Sequence, residues 1–289
     1  MVALLLLVDS GHFIFGRMLL PYLPPTASSF YYMTLALIQI AIFAAVRRQI
    51  DWRVLRDNAW FFIVIGFLIA VATSTSFAAV VYIDPGTASL LARMGTIFGL
   101  AFGIFWLKER LTRGEQAGAF LAVVGVFIIS FQPAAEGSNA LLGTLLVLTS
   151  TFTYALHGAI VKRNGGEIDF TNFLLFRMMT SCFFLLIFTI GRGELVWPSG
   201  IEVWLILLLT ATVNVTISRS LYYMVMRRIE LSILTVLLTL TPVITIFWSM
   251  LLFGERPSLQ GFVGGAAVIL GVILVTLSKR NGQAGEAAP

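Results

Sequence analysis

Residues 90–112, LLARMGTIFGLAFGIFWLKERLT, set the reading of the whole chain. They are apolar over the length of a membrane-crossing helix. Yet they carry one arginine, Arg93, a glycine ladder at Gly95, Gly99 and Gly103, and a charged exit at Lys108-Glu109-Arg110. The stretch has an echo in residues 234–258, LTVLLTLTPVITIFWSMLLFGERPS, where Glu255-Arg256 stands 146 residues beyond Glu109-Arg110. Two questions follow: how a chain with such an echo is arranged, and what a charge inside an apolar span is for.

Composition answers part of the first. Of 289 residues, 58% are hydrophobic and 11% charged, and the mean hydropathy is +0.95. A soluble domain carries roughly 25% charged residues, so this chain cannot clothe a water-facing surface and reads as a polytopic membrane protein. A pI near 9.7 invites a nucleic-acid partner. That reading fails because the basic residues sit in short loops between apolar spans, where they report orientation. The one cysteine, Cys182, lies inside an apolar span and has no intramolecular partner. Val2 to Val8 resemble a signal-peptide core. No basic segment precedes them, however, and Asp9, His12 and Arg17 stand where a small-residue cleavage site belongs, so they open a first membrane helix.

A bilayer core about 30 Å thick needs roughly 20 apolar residues per helix. Apolar runs between breaks predict ten spans, at about 2–20, 28–46, 60–82, 86–107, 115–131, 141–161, 171–190, 202–226, 232–253 and 259–277. With the N-terminus cytoplasmic, inner loops and tail hold thirteen Lys and Arg against three (Arg17, Arg192, Arg256) at the outer ends. This asymmetry places both termini inside, in a plasma membrane that for a bacterium is the inner one. Arg93, Arg177 and Arg219 remain within spans.

Sliding the chain by 146 residues aligns Arg17 with Arg163, Phe30 with Phe176, Met33 with Met179, Thr34 with Thr180, Asp84 with Glu230, Gly118 with Gly264 and Gly125 with Gly271. Each copy holds five spans, an odd number, so the second must enter the membrane from the opposite side. The expected fold class is therefore all-α, ten transmembrane helices in two inverted five-helix repeats, residues 1–133 and 140–279, followed by a disordered cytoplasmic tail at 280–289. Transporters build central sites at such repeat interfaces.

The KERLT at 108–112, the GERPS at 254–258 and the glycine-spaced helix after each make the chain similar to the drug/metabolite transporter superfamily, in its ten-helix form with two EamA repeats. The resemblance implies alternating-access transport of a small metabolite and a cavity lined mainly by helices one, three, four, six, eight and nine. One departure concerns symmetry. The family often has a proline in the middle of both the fourth and ninth helices; here Pro242 is present, but Thr96 stands at the matching position.

Polar residues inside the spans are the site candidates. Arg93 lies roughly 12 Å into the fourth span at 1.5 Å per residue, where a charge needs a partner or a wet cavity. Its guanidinium fork suits a carboxylate or phosphate. Arg219 sits in a polar run of the eighth span, in which Asn214, Ser218 and Tyr222 share one face. Thr73 and Ser76 form the counterpart run in the third span, and Tyr82, Tyr154, Tyr222 and Tyr223 offer flat faces for stacking. His157 beside Tyr154 is a further candidate. Arg177, six residues from a helix end, reads as snorkelling to the surface. Asp9 and His12, at i and i+3 on the first span, form either a proton-coupling pair or a counter-charge, with Asp9 neutralising Arg93 or Arg219. Pro242 and Gly95 are candidate hinges, and the Gly95-Gly99-Gly103 ladder a helix-packing seam.

No phosphate-binding loop with a lysine occurs, so ATP is not the direct driver. Neither metal nor cofactor is expected. The leading expectation is a secondary transporter and not an enzyme. Its substrate is a small anionic or zwitterionic molecule such as an amino acid, carboxylate, nucleotide-like solute or flavin-like vitamin, and its partners are that solute and the lipid bilayer. Monomer and homodimer are both open. The alternatives are a non-transporting membrane receptor or assembly factor, or a polytopic membrane enzyme. The last lacks an HExxH and any histidine near Cys182.

Overall fold

The structure, a computed structural model, describes residues 2–107, 113–130, 139–164, 168–218, 221, 241–255 and 258–286. Among the described residues every element is helical. The first span is broken into α1 (Val2–Asp9) and α2 (Gly11–Leu19), and the second is α3 (Pro25–Val46). A short α4 (Trp52–Asp57) precedes the third, α5 (Ala59–Ala79). The fourth is broken into α6 (Pro85–Leu91) and α7 (Met94–Leu107), and the fifth is α8 (Arg113–Ser130). In the second repeat follow α9 (Ala140–Asn164), α10 (Phe170–Gly191), α11 (Ile201–Thr210) running into a π-helical segment (Ala211–Ile217), α12 (Thr241–Phe253) and α13 (Leu259–Glu286).

Among the described residues, α3, α5, α10 and residues Ala140–Val161 of α9 are each long and apolar enough to cross a bilayer alone. Their starts are written in the sequence. Pro25 occupies the first turn of α3, where a missing N–H costs nothing. Asp169 caps α10 by accepting from the Thr171 and Asn172 amides at 3.0 and 3.2 Å. Asp84 caps α6, accepting from the Thr87 amide at 2.8 Å and its hydroxyl at 2.6 Å. Each carboxylate satisfies amides that have no helical partner.

Two expected spans are not continuous, and each break has a local cause. At Ser10-Gly11 the serine hydroxyl donates to its own helix at the Leu7 carbonyl, 2.7 Å away, the side-chain competition that bends helices. At Ala92-Arg93 the helix tightens: Arg93 N–H donates to Leu90 O and Gly95 N–H to Ala92 O, both at 3.1 Å and both i to i−3.

The repeats pack on each other through counterpart elements. α8 lies along α13, α3 along α10, and α6 along α12. The α8–α13 seam shows the two-fold relation directly. A Cβ on Gly118 would stand 2.6 Å from the Gly271 carbonyl oxygen, and one on Gly125 would stand 2.5 Å from that of Gly264. Under the 146-residue register these two contacts exchange. The chain is thus an all-α polytopic membrane protein built from two inverted five-helix repeats. Outward-facing Phe183, Leu205, Phe247 and Leu251 are exposed, as lipid-facing residues are. Helix association here draws on close packing and interhelical hydrogen bonds, since lipid removes the hydrophobic drive.

Three expectations about hinges, packing and the tail need correction or placement. Among the described residues, nothing approaches within 4 Å of a Cβ built on Gly99, and one on Gly95 would meet only Thr151. Among the described residues the tight glycine contacts are therefore on α8 and α13, and the surroundings of Gly103 lie outside them. Pro242 is buried in the first turn of the described α12, and the residues before Thr241 lie outside the described residues. α13 continues as helix to Glu286, through residues expected to be disordered.

Candidate functional site

The elements meet at a small cavity between the repeats. It is lined by His12 of α2, Tyr32 and Met33 of α3, Ile69 of α5, Tyr154 of α9, Arg177 of α10, and Asn214 and Val215 of the π segment. Ile69 and Val215 are counterparts under the repeat, so the apolar frame of the cavity is symmetric while its polar groups are not. The free space is about 20 Å³ as water centres measure it, room for a water molecule but far below the roughly 300–1,000 Å³ of an organic-ligand pocket.

His12 is the hub of a directed hydrogen-bond chain. The Asn214 side-chain N–H donates to His12 Nδ1 at 3.0 Å. An amide nitrogen only donates, so Nδ1 is the acceptor and the proton of the neutral ring is on Nε2. That Nε2–H donates to Ser76 Oγ at 3.0 Å, and Ser76 donates in turn to the Thr73 carbonyl at 2.9 Å. The Thr73 hydroxyl lies 3.3 Å from the Tyr154 hydroxyl, and Ser150 of α9 donates to the Ala72 carbonyl at 2.7 Å. Phe77 contacts the His12 ring edge-on, at 5.5 Å between centroids, and stacks on Tyr32 at 5.0 Å. The third-span hydroxyl run thus holds helices one and six.

The π segment is placed from outside the cavity by Gln39 of α3. Its Nε2 donates to Thr212 Oγ1 at 2.9 Å, and its Oε1 accepts from Thr216 Oγ1 at 2.7 Å. Two hydroxyls four residues apart are held by one amide while the helix winding shifts between them. Gln39 was not singled out in the sequence, although a glutamine in mid-span is itself a signal.

The sequence-derived candidates divide. His12, Tyr154 and Asn214 line the cavity, with Thr73 and Ser76 directly behind them. Ser218 donates to Asp9 Oδ1 at 3.4 Å on the approach to the cavity. Arg93 is half-buried at the α6–α7 break, donating to the Ser89 carbonyl at 3.4 Å, within electrostatic reach of Asp9. His157 is buried on α9, one turn from Tyr154, but does not join the cavity lining. Tyr82 lies in the turn after α5, against Gly143 at the start of α9. Arg219, Tyr222 and Tyr223 fall outside the described residues.

Arg177 overturns its reading. Instead of reaching a membrane surface it is 9% exposed, lines the cavity and lies 5.9 Å over the Phe173 ring. Distance from the helix end fixes the depth of Arg177 but not the face of α10 on which it stands. Of the spans that the resemblance points to, one, three, six and eight line the cavity; spans two and seven join them.

Two groups of contacts outside the cavity lining bridge the repeats. In one, Arg17 pairs with Glu255 at 2.5 Å and donates to the Val80 carbonyl at 3.0 Å, and Thr26 donates to Glu194. In the other, Asn172 of α10 accepts from the Asp51 amide at 3.0 Å and donates to the Gln49 carbonyl at 2.9 Å.

Known proteins match along the whole chain. The pattern of the EamA-like transporter family fits residues 1–131 and again 141–277. An uncharacterized transporter of Bacillus subtilis (strain 168), YdfC, is 25% identical over 68% of this chain, and the match spans 63% of its own length, just under two thirds. Riboflavin transporter ImpX of Fusobacterium nucleatum is 27% identical over 67% of this chain and 66% of its own. A solved crystal structure superposes with a TM-score of 0.65 at 19% identity, covering 96% of this chain and 98% of that one. This last likeness is one of fold.

Proposed function

The chain belongs to the EamA-like transporter family, and on that premise we propose that it moves a small organic solute with an anionic or zwitterionic group by alternating access through the central cavity. The observation that carries the reading is Arg177: a buried guanidinium facing a cavity between two inverted repeats. A cation at membrane depth marks a functional position, and the planar guanidinium fork suits a carboxylate or phosphate. Asn214 and His12 add donor and acceptor groups beside it, while Tyr32 and Tyr154 supply flat faces. The cavity as described is too small for any such solute. A solute therefore enters only when the repeats part at one group of bridging contacts, as the inverted-repeat architecture requires. Arg93 with Asp9 supplies further charge in the first repeat.

Among anionic and electron-rich solutes, a flat heteroaromatic one is favoured by the two tyrosines and by the riboflavin transporter among the relatives. The positive charge of the predicted inner loops supports a plasma-membrane location with both termini cytoplasmic. The test is a thermal-shift screen of the purified chain against amino acids, carboxylates, nucleotides and riboflavin, followed by counterflow in liposomes with each hit. Anionic or flavin-like hits that move, and that lose binding in Arg177→Gln, support the reading. Binding without counterflow supports a receptor. Hits whose affinity is the same in Arg177→Gln remove the assigned site.

A further inference from the structure

We propose that His12 is a proton-binding site, and that its protonation turns the Asn214 amide and so changes what the cavity offers a solute. The inference rests on the transport reading above for its purpose, but its geometry stands apart from it.

The two ring nitrogens of His12 are differently engaged. Nε2–H donates to Ser76, which is committed as a donor to the Thr73 carbonyl. That bond survives protonation unchanged, because Nε2 carries its hydrogen in both the neutral and the charged ring. Nδ1 is the other case. It accepts from the Asn214 amide nitrogen, and a proton added there sets two donors face to face. The contact is restored only if the amide rotates by half a turn, so that Asn214 Oδ1 accepts from the new Nδ1–H. One proton is taken up from water, one hydrogen bond reverses its direction, and no other covalent bond changes.

The reversal has consequences because of where Asn214 stands. It belongs to the second repeat and His12 to the first, so the reversed bond is one between repeats. Asn214 also lines the cavity, so its turn exchanges an acceptor for a donor at that wall. Its backbone lies in the π segment, where winding already departs from α and where Gln39 holds the neighbouring turns. π segments of this kind recur at functional positions.

Charge acts in the same direction. Among the described residues, the titratable or charged groups around His12 are Tyr32 on α3, Tyr154 on α9 and Arg177 on α10, which share its cavity, and Asp9 on α1, which interacts in turn with Arg93 after α6. The described parts of α5, the π segment, α6 and α12 contribute none. A protonated His12 joins Arg177 as a second cation on the cavity wall. An anion entering the cavity then favours the proton, and the proton favours the anion by the same factor, as linkage demands. The device predicts co-transport of a proton with an anion.

The test is nitrogen NMR on the full chain in lipid nanodiscs, with ¹⁵N-labelled histidine and asparagine, assigned through His12→Gln and His157→Gln. Benzoate, an aromatic monocarboxylate whose charge is constant near neutral pH, serves as the anion probe. Above the titration, His12 is expected as the Nε2–H form with a hydrogen-bonded Nδ1. On acidification Nδ1 gains a proton and the Asn214 side-chain resonance shifts in step. Millimolar benzoate raises the protonated fraction of His12 at a fixed pH, with a coupling of about tenfold, and Arg177→Gln cancels that rise. In Asn214→Leu, His12 protonates without any asparagine response and the coupling shrinks.

A neutral ring protonated on Nδ1, or His12 protonation with an unmoved Asn214 resonance, overturns the proton switch even if benzoate binds. A proton step coupled to Asn214 that ignores benzoate upholds the switch and removes the anion site assigned to Arg177.

Discussion

The third and eighth spans are repeat counterparts, yet they solve the same task differently. α5 is regular α-helix from Ala59 to Ala79, with its hydroxyls turned to serve others: Ser76 takes His12, Thr73 meets Tyr154. The eighth span changes winding at Ala211–Ile217 and needs a glutamine from α3 to hold it. The residue opposite Gln39 in the register is Leu185 of α10, fully buried and apolar. Gly66 of α5, at which Thr180 packs against the backbone, is matched by Thr212, one of the hydroxyls that Gln39 holds. One copy is a rigid wall; the other is a wall with an adjustable register. Symmetric frame and asymmetric chemistry are thus written into the same pair of helices.

The largest expected effect separates these two walls by packing. Gly66→Val drives a side chain into Thr180 and is expected to cost about 1–3 kcal/mol or to prevent folding. Thr212→Val, at the equivalent position, introduces no clash and loses two hydrogen bonds, from Gln39 and to the Leu208 carbonyl, each worth about 0.5–1 kcal/mol. Thermal unfolding and size-exclusion yield in detergent compare them, and equal costs would break the contrast.

Next comes Arg177 against its counterpart Tyr31. Arg177→Gln is expected to lower counterflow of any anionic hit about 10–150-fold, the value of a charge-assisted contact of roughly 1.5–3 kcal/mol. Tyr31→Phe, buried among Trp197 and Trp204, leaves it within a factor of about two, well inside that span. Similar losses in both would mean that Arg177 acts through packing alone.

Gln39→Leu gives the first repeat the residue that the second has at Leu185. Thr212 and Thr216 lose their bridging amide, at about 1–2 kcal/mol for two hydrogen bonds. Hydrogen exchange of residues 211–217 is expected to accelerate while 65–71 stay unchanged; protection unchanged in both segments would show that the π winding stands without Gln39.

The smallest effect is at the Arg17–Glu255 bridge. Arg17 and Glu255 keep 34% and 21% of their side-chain surface exposed, so Glu255→Gln should cost about 1 kcal/mol or less. Raising the ionic strength should narrow its difference from wild type in thermal midpoint, since salt screens exposed charges. A difference that salt leaves intact would place the pair in a drier site than its exposure indicates.

Much of this architecture is legible in the residues. Ten apolar runs, the 146-residue register and the charged ends of the fourth and ninth spans are enough for two inverted repeats. Proline and aspartate at Pro25, Asp84 and Asp169 mark helix starts with little ambiguity. The candidate site is only half legible, for a physical reason. In a membrane helix both faces are apolar, so the periodicity that orients a soluble helix toward its core is missing. His12, Asn214, Thr73 and Ser76 stand out because they are polar among apolar neighbours. Tyr32, Met33, Ile69 and Val215 do not, since nothing in composition distinguishes a cavity-facing residue from a lipid-facing one. Arg177 shows the same blindness from the other side: six residues from a helix end fixed its depth, not its direction. The break at Ala92-Arg93 lay beside the expected hinge at Gly95 without any proline to announce it. The π segment has no sequence signature apart from the mid-membrane glutamine that supports it.

The two glycine contacts between α8 and α13 carry a consequence for how such a molecule can move. Alternating access in an inverted repeat amounts to each repeat taking the conformation of the other. Under that exchange Gly118–Gly271 becomes Gly264–Gly125, a contact already present, so the seam looks the same before and after. In the transport cycle proposed above, it is a seam on which the halves can turn without opening it in either state. A disulfide engineered across it should hold the two halves together and leave the traffic through the middle running.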